Sequence, residues 1–178
     1  INLKNLLGND SLFLEVLKSN IFVNKNLNFN IELKSKNISN HRKLKDLNLN
    51  INYENQLLNF DQSNFVLKDI LKINLIDSKF INSKKQYFLG TFEVLIYDHS
   101  NLYKFFQTKK KYRKKISSIY ITTKYDFLKN NLILEKVIID NNSNENINYL
   151  IKKYNQDNKT IRNKVDLRNL FNSFIEEL

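Results

Sequence analysis

Two histidines, His41 and His99, are the chain's only imidazoles, and no cysteine exists to join them in a metal site. Both stand in predicted connections among polar neighbours and read as exposed loop residues. A hydrolytic triad would need one of them beside a serine on a strained turn, yet no Gly-x-Ser-x-Gly elbow is present. Gly8 and Gly90 are the only glycines, which leaves no phosphate loop and no dinucleotide fingerprint. The acidic pairs Asp10/Glu15 and Glu176/Glu177 fall at helix ends. Asp61, Asp69, Asp77 and Asp98 punctuate strand ends, where turn-forming aspartates belong. These residue types predict a chain that is not an enzyme and carries neither metal nor cofactor.

The sharpest charge feature is the run Lys109, Lys110, Lys111, Tyr112, Arg113, Lys114, Lys115. Three readings stay open for it. It is a helix C-terminus followed by a solvated turn, a contact for anionic lipid head groups, or a nucleic-acid contact with Tyr112 as the stacking surface. The net charge of +11 points toward anionic partners in general. Lys, Asn and Ile are all in excess, however, while Pro and Trp are absent, as expected of A/T-rich coding. Much of the basicity is therefore assigned to a solvated surface.

The elements that position these residues are mostly strands. Leu27, Phe29, Ile31 and Leu33 alternate with Asn28, Asn30, Glu32 and Lys34, the signature of a strand with one buried and one wet face. After a polar connection from Ser35 to Lys45 the pattern returns as Leu47, Leu49, Ile51 and Tyr53. The apolar set Phe29, Ile31, Leu33, Leu47, Leu49 and Ile51 is thus expected on one sheet face, as core or as the lining of a groove. Short strands follow at 57–60, 64–68, 71–77 and 79–81, with polar breaks that suggest a meander of hairpins. Residues 86–97 form the longest strand candidate. Phe88, Phe92, Val94 and Ile96 on one of its faces, against Tyr87, Leu89, Leu95 and Tyr97 on the other, predict cover on each side near its ends, and Gly90 marks a bulge or a close approach. A hairpin spans 119–127 and 132–140. Helices are predicted over Asn9–Lys18, over 101–109 with Ser100 as cap, and twice in the last thirty residues, where Ile147, Leu150, Ile151 and Tyr154 precede Leu167, Leu170, Phe171, Phe174 and Ile175.

With 178 residues, 42% hydrophobic and 26% charged, the chain can bury one core and reads as a single domain over 1–178. The expected class is mainly β (α+β), a curved antiparallel sheet with short helices at the start, middle and end. It opens with Ile1 and contains no methionine, which suggests a piece of a longer protein with any anchor upstream. No apolar run within it reaches the roughly 18–20 residues of a spanning helix.

The order of elements has a likeness. Residues 24–31, Asn-Lys-Asn-Leu-Asn-Phe-Asn-Ile, the strand Leu47 to Tyr53, the segment Leu102-Tyr103-Lys104-Phe105-Phe106-Gln107 with its basic run, the hairpin closing on Ile138-Ile139-Asp140, and the final Leu167-Arg168-Asn169-Leu170-Phe171-Asn172 helix resemble the C-terminal region of AsmA-like proteins, in particular A/T-rich alphaproteobacterial members. The resemblance covers nearly the whole chain in pattern and short strings and contains no catalytic motif. It implies a protein held at the periplasmic face of the inner membrane by an N-terminal helix and engaged in lipid transport and outer-membrane biogenesis. Phospholipid acyl chains or a membrane surface would be the partner, bound in an apolar β-groove with Lys109 to Lys115 toward the head groups. A nucleic-acid-binding module and a purely structural cap are the alternatives.

Overall fold

The computed structural model describes residues 15–16, 19, 26–38, 44–82, 86–127, 129, 131–142, 144–156, 161 and 163–178. Of the helix expected over Asn9–Lys18 only Glu15 and Val16 fall within them, both helical and exposed, and the rest lies outside the described residues, as does His41. Eight antiparallel strands form one sheet: β1 (Phe29–Asn37), β2 (Leu44–Glu54), β3 (Leu57–Asn59), β4 (Asn64–Leu67), β5 (Leu71–Asn82), β6 (Gln86–Ile96), β7 (Ser118–Asp126) and β8 (Asn131–Ile139). The order across the sheet is β1-β2-β3-β5-β6-β7-β8, and β4 pairs with both β2 and β5 beside β3. Three helices are complete among the described residues: α1 (His99–Phe105), α2 (Glu145–Gln156) and α3 (Lys164–Glu176). The mainly-β, antiparallel expectation holds.

Glycine is nearly absent, so the hairpins turn on other residues. Asn55 and Gln56 link β2 to β3 with φ of 52° and 63°, and Lys68 and Asp69 link β4 to β5 with φ of 48° and 59°. Two successive left-handed residues are what a two-residue hairpin turn requires, and each non-glycine residue there costs on the order of 1 kcal/mol.

α1, α2 and α3 lie over one end of one sheet face. Ile147, Ile151 and Tyr154, spaced at helical intervals along α2, and Phe174 and Ile175 of α3 are buried against Val94, Ile96, Ile119, Val137 and Ile139 of the sheet, with Leu102 and Tyr103 of α1. Local chemistry fixes the helix ends. Asp98 caps α1 by accepting from the Asn101 amide at 2.9 Å, and Asn163 caps α3 through the Val165 and Asp166 amides at 2.7 and 3.1 Å. The α1 cap is Asp98, two residues ahead of the expected Ser100, because its carboxylate reaches the amide three positions on. The Asn155 side chain of α2 exchanges both its groups with the Leu134 backbone, at 3.0 and 2.8 Å, as a neighbouring strand would. A Phe106–Phe171 stack at 4.0 Å and an Asn172 side chain bonded to Thr108 and Phe106 lock α1 to α3.

A second core lies on the same face beyond the helices. Ile51, Tyr53, Leu58, Phe60 and Phe80 are buried together, flanked by Leu27, Phe29, Leu49, Leu75, Phe88 and Phe127, and no member comes from α1, α2 or α3. A seam of irregularities crosses the sheet between the two cores. It runs from Asn50 of β2 through the break between β3 and β4, the bulge at Asp77–Ser78, Gly90 and Thr123, to the extra residue Glu135 on β8. The buried polar residues Ser63, Ser78 and Thr123 all sit on this line. Asp61 accepts from both the amide and the hydroxyl of Ser78 at 2.6 Å, the Ser78 hydroxyl accepts from the Phe60 amide at 2.7 Å, and Ser63 exchanges hydrogen bonds with the Asn50 backbone at 2.9 and 3.1 Å. Bulges bend and twist a sheet, so the seam is where the face curls.

The bulge explains a difference from the sequence pattern. Residues 71–77 and 79–81, expected as two strands, form the single β5, because the Asp77–Ser78 polar pair that reads as a turn is a bulge, with Asp77 at φ 49°. On the second face of β6, Tyr87, Leu89 and Leu95 are half-buried and belong to neither core among the described residues, and Lys124 stands 4.4 Å over the Tyr87 ring.

Candidate functional site

The register of β1 on β2 pairs Phe29 with Tyr53, Ile31 with Ile51, Leu33 with Leu49 and Ser35 with Leu47. Alternation then sets Phe29, Ile31, Leu33, Leu47, Leu49 and Ile51 on one face, the face that carries both cores. Their burial is graded. Ile51 is 4% exposed within the second core, Phe29, Leu33, Leu47 and Leu49 are half-buried, and Ile31 on the outermost strand is 44% exposed. Aromatic rings line the same surface: Phe29 stacks on Tyr53 at 5.5 Å, Phe60 and Phe88 approach to 6.0 Å, and Phe127 meets both Phe80 and Tyr125 edge-on at 5.4 and 4.8 Å. Phe60, Leu75 and Phe127 join this surface through strand register that no local pattern displays.

The basic run is elsewhere. Lys109, Lys110, Lys111, Arg113, Lys114 and Lys115 are exposed on the connection from α1 to β7, which includes one 3-10 turn at Lys110–Tyr112. Its backbone is tied down by the Tyr103 hydroxyl on the Lys114 carbonyl and by the buried Ile116. The Arg113 Nε donates to the Thr108 carbonyl at 3.0 Å. Tyr112 packs against the helix-covered core and carries the Lys111 ammonium 4.5 Å over its ring, so that ring face is already occupied. The basic run borders the helix-covered core through Tyr112 and Ile116, whereas Ile51, Phe29 and Leu49 belong to the second core, so the two candidate sets lie at different places in the fold.

His99 and Asp140 have structural partners. His99 is not an exposed loop residue: it begins α1, half-buried, with Nε2 against the Ile116 carbonyl, because the basic connection folds back over the helix. Asp140 accepts from the Ser117 and Ser118 amides at 2.7 and 2.9 Å. Among the described residues no three acidic or imidazole groups are placed to hold a metal, and no helix is long and apolar enough to cross a membrane.

On the opposite, polar face Glu93 accepts from the Tyr120 hydroxyl at 2.6 Å and from the Asn74 amide at 2.7 Å. The Tyr120 bond foremost, then that from Asn74, holds its carboxyl below the usual range, while the same contact raises the Tyr120 phenol. A carboxylate lowered on folding contributes stability that is present above its unfolded pKa and is lost as pH falls through the folded one. Glu93→Gln should therefore flatten part of the stability loss below about pH 4.5, an effect kept small by solvent screening, in thermal melts from about pH 7 to 3. An acid limb identical to that of the parent would show that these bonds do not act on stability.

No family model, no curated protein and no solved structure matches this chain.

Proposed function

We propose that this chain is a non-catalytic domain that holds phospholipid acyl chains on the part of its apolar sheet face that α1, α2 and α3 do not cover. The order of elements that resembles AsmA-like proteins gives this reading its setting. That setting is an envelope protein at the periplasmic face of the inner membrane, acting in lipid transport between membranes and in outer-membrane assembly. The observation that carries it is the division of one continuous apolar face, in which α1, α2 and α3 cover one end and none of them contributes to the other. An antiparallel sheet must cover its apolar side with something. Acyl chains gain about 0.8 kcal/mol for each methylene they bury, so a short apolar trough suffices to hold part of a chain.

The test is phospholipid carried through detergent-free purification, measured by native mass spectrometry and by extraction. Ile31→Asp and Leu33→Asp put a charge on the face where exposure makes it tolerable, and each should reduce copurifying phospholipid several-fold with little change in melting temperature. Ile51 is unsuitable for this purpose, since a carboxylate at a 4% exposed position would destabilise the second core itself. Lipid-free parent protein, or unchanged lipid in both variants, would leave the domain as a structural cap. The nucleic-acid alternative loses its stacking platform with Tyr112 already packed and covered. It would be revived by binding of a labelled RNA or DNA that weakens steeply with salt and is lost on neutralising Lys110 and Lys111.

A further inference from the structure

We infer that a lysine-lined groove at the helix-covered end of the domain is a binding site for a dianionic phosphoryl group, carried by a lipid head group or by a small soluble phosphate. The groove, about 660 Å³, opens between the start of β2, the β4–β5 turn, α1 and the start of α3. Each of these contributes one ammonium group, respectively Lys45, Lys68, Lys104 and Lys164. Asp69 and Asp98 also line it, so four positive charges against two negative leave two in excess.

Neither carboxylate forms a close ion pair with Lys68, Lys104 or Lys164. Asp98 is committed to α1, accepting from the Asn101 amide at 2.9 Å and from its side chain at 2.7 Å. Asp69 reaches only Lys45, at a long 3.9 Å. Among the described residues no carboxylate stands within 4.0 Å of Lys68, Lys104 or Lys164. The Lys164 ammonium lies 4.7 Å over the Phe105 ring, which positions the end of a flexible side chain without removing its charge. A cleft lined by one sign of charge focuses its field on a counter-ion. A doubly charged phosphoryl group matches the excess, and lysines are point-charge donors suited to phosphate oxygens. The groove is larger than a bare phosphate needs, and Ile70 and Phe105 offer apolar contact to a glycerol or sugar attached to it.

None of the six apolar residues of β1 and β2 lines the groove, so this site stands or falls apart from the acyl-chain reading. The full chain would be titrated calorimetrically at low ionic strength with inorganic phosphate and with glycerol 3-phosphate. In parallel it would be sedimented with vesicles of phosphatidylcholine, with and without phosphatidic acid. Lys68→Gln/Lys104→Gln should weaken whichever probe binds by about tenfold. Lys152→Gln/Lys153→Gln, which removes the same charge from α2 outside the groove, should change it by about twofold or less. All four residues are exposed, so both variants should melt like the parent. Binding of the soluble phosphates assigns the site to small molecules, and binding of phosphatidic acid vesicles alone assigns it to a head group. Failure of every probe, equal losses in the two variants, or equal sedimentation with phosphatidylcholine alone would overturn the proposal.

Discussion

Ile147→Ala is expected to cost about 2–5 kcal/mol of folding stability, the range for emptying a fully buried aliphatic site. Ile147 is 0% exposed and sits in the first turn of α2, where the Asn144 side chain caps the helix through the Ile147 amide at 2.7 Å. Its side chain joins Ile151 and Tyr154 in the helix-covered core that includes Leu134, Val137 and Ile139 of β8. The same helix occupies the Leu134 backbone through Asn155, so loosening α2 also exposes hydrogen-bonding groups of β8. At roughly 2–4 °C per kcal/mol for a chain of this size, the melting temperature should fall by about 4–20 °C. Denaturant unfolding measures the change directly. A loss below about 1 kcal/mol would mean that α2 contributes little to the cover of this core.

What the sequence made legible is what depends on local period. Phe29, Ile31 and Leu33 facing Tyr53, Ile51 and Leu49 were readable because a half-wet strand alternates and its partner alternates in step. The two C-terminal helices were readable for the same reason at a period of 3.6. What escaped depends on which polar residue finds which partner. Asp77–Ser78 reads as a turn in sequence, yet folds as a bulge because Asp61, seventeen positions before Ser78, supplies the acceptor that Ser78 needs. His99 reads as a loop residue because nothing nearby shows that the basic connection will fold back to place the Ile116 carbonyl against it.

The candidate sites divide the same way. The apolar face was legible as a face, but its division into a helix-covered end and an end outside the helices' reach is set by tertiary packing. The basic run announced itself as a string of charges, and its side chains are exposed as such strings usually are. The lysine groove had no signal at all. Lys45, Lys68, Lys104 and Lys164 come from four separate elements, and in a chain with 29 Lys and Arg no single one stands out.

Gly90→Val should disrupt the seam between the two cores and destabilise the domain by about 1–3 kcal/mol or more, as overpacking does. A Cβ at position 90 would lie 2.7 and 2.9 Å from Phe88 ring carbons and 3.1 Å from Leu75 Cδ1. The need for glycine here is one of space, since Gly90 does not have a positive φ. Phe88 folds over it, within 6.0 Å of Phe60 and 6.3 Å of Phe92, so moving the ring disturbs the rings on both sides. If the clash is the cause, removing the ring should relieve it. Phe88→Ala alone costs the packing of a large side chain, about 3–5 kcal/mol if fully buried and less for this half-buried ring. Adding Gly90→Val to it should then cost little or even recover some stability. The double-mutant cycle in denaturant should show a coupling of roughly 1–3 kcal/mol in the compensating direction. Strict additivity would show that Gly90 is required by something other than the Phe88 ring, such as the backbone bend where it faces the β5 bulge.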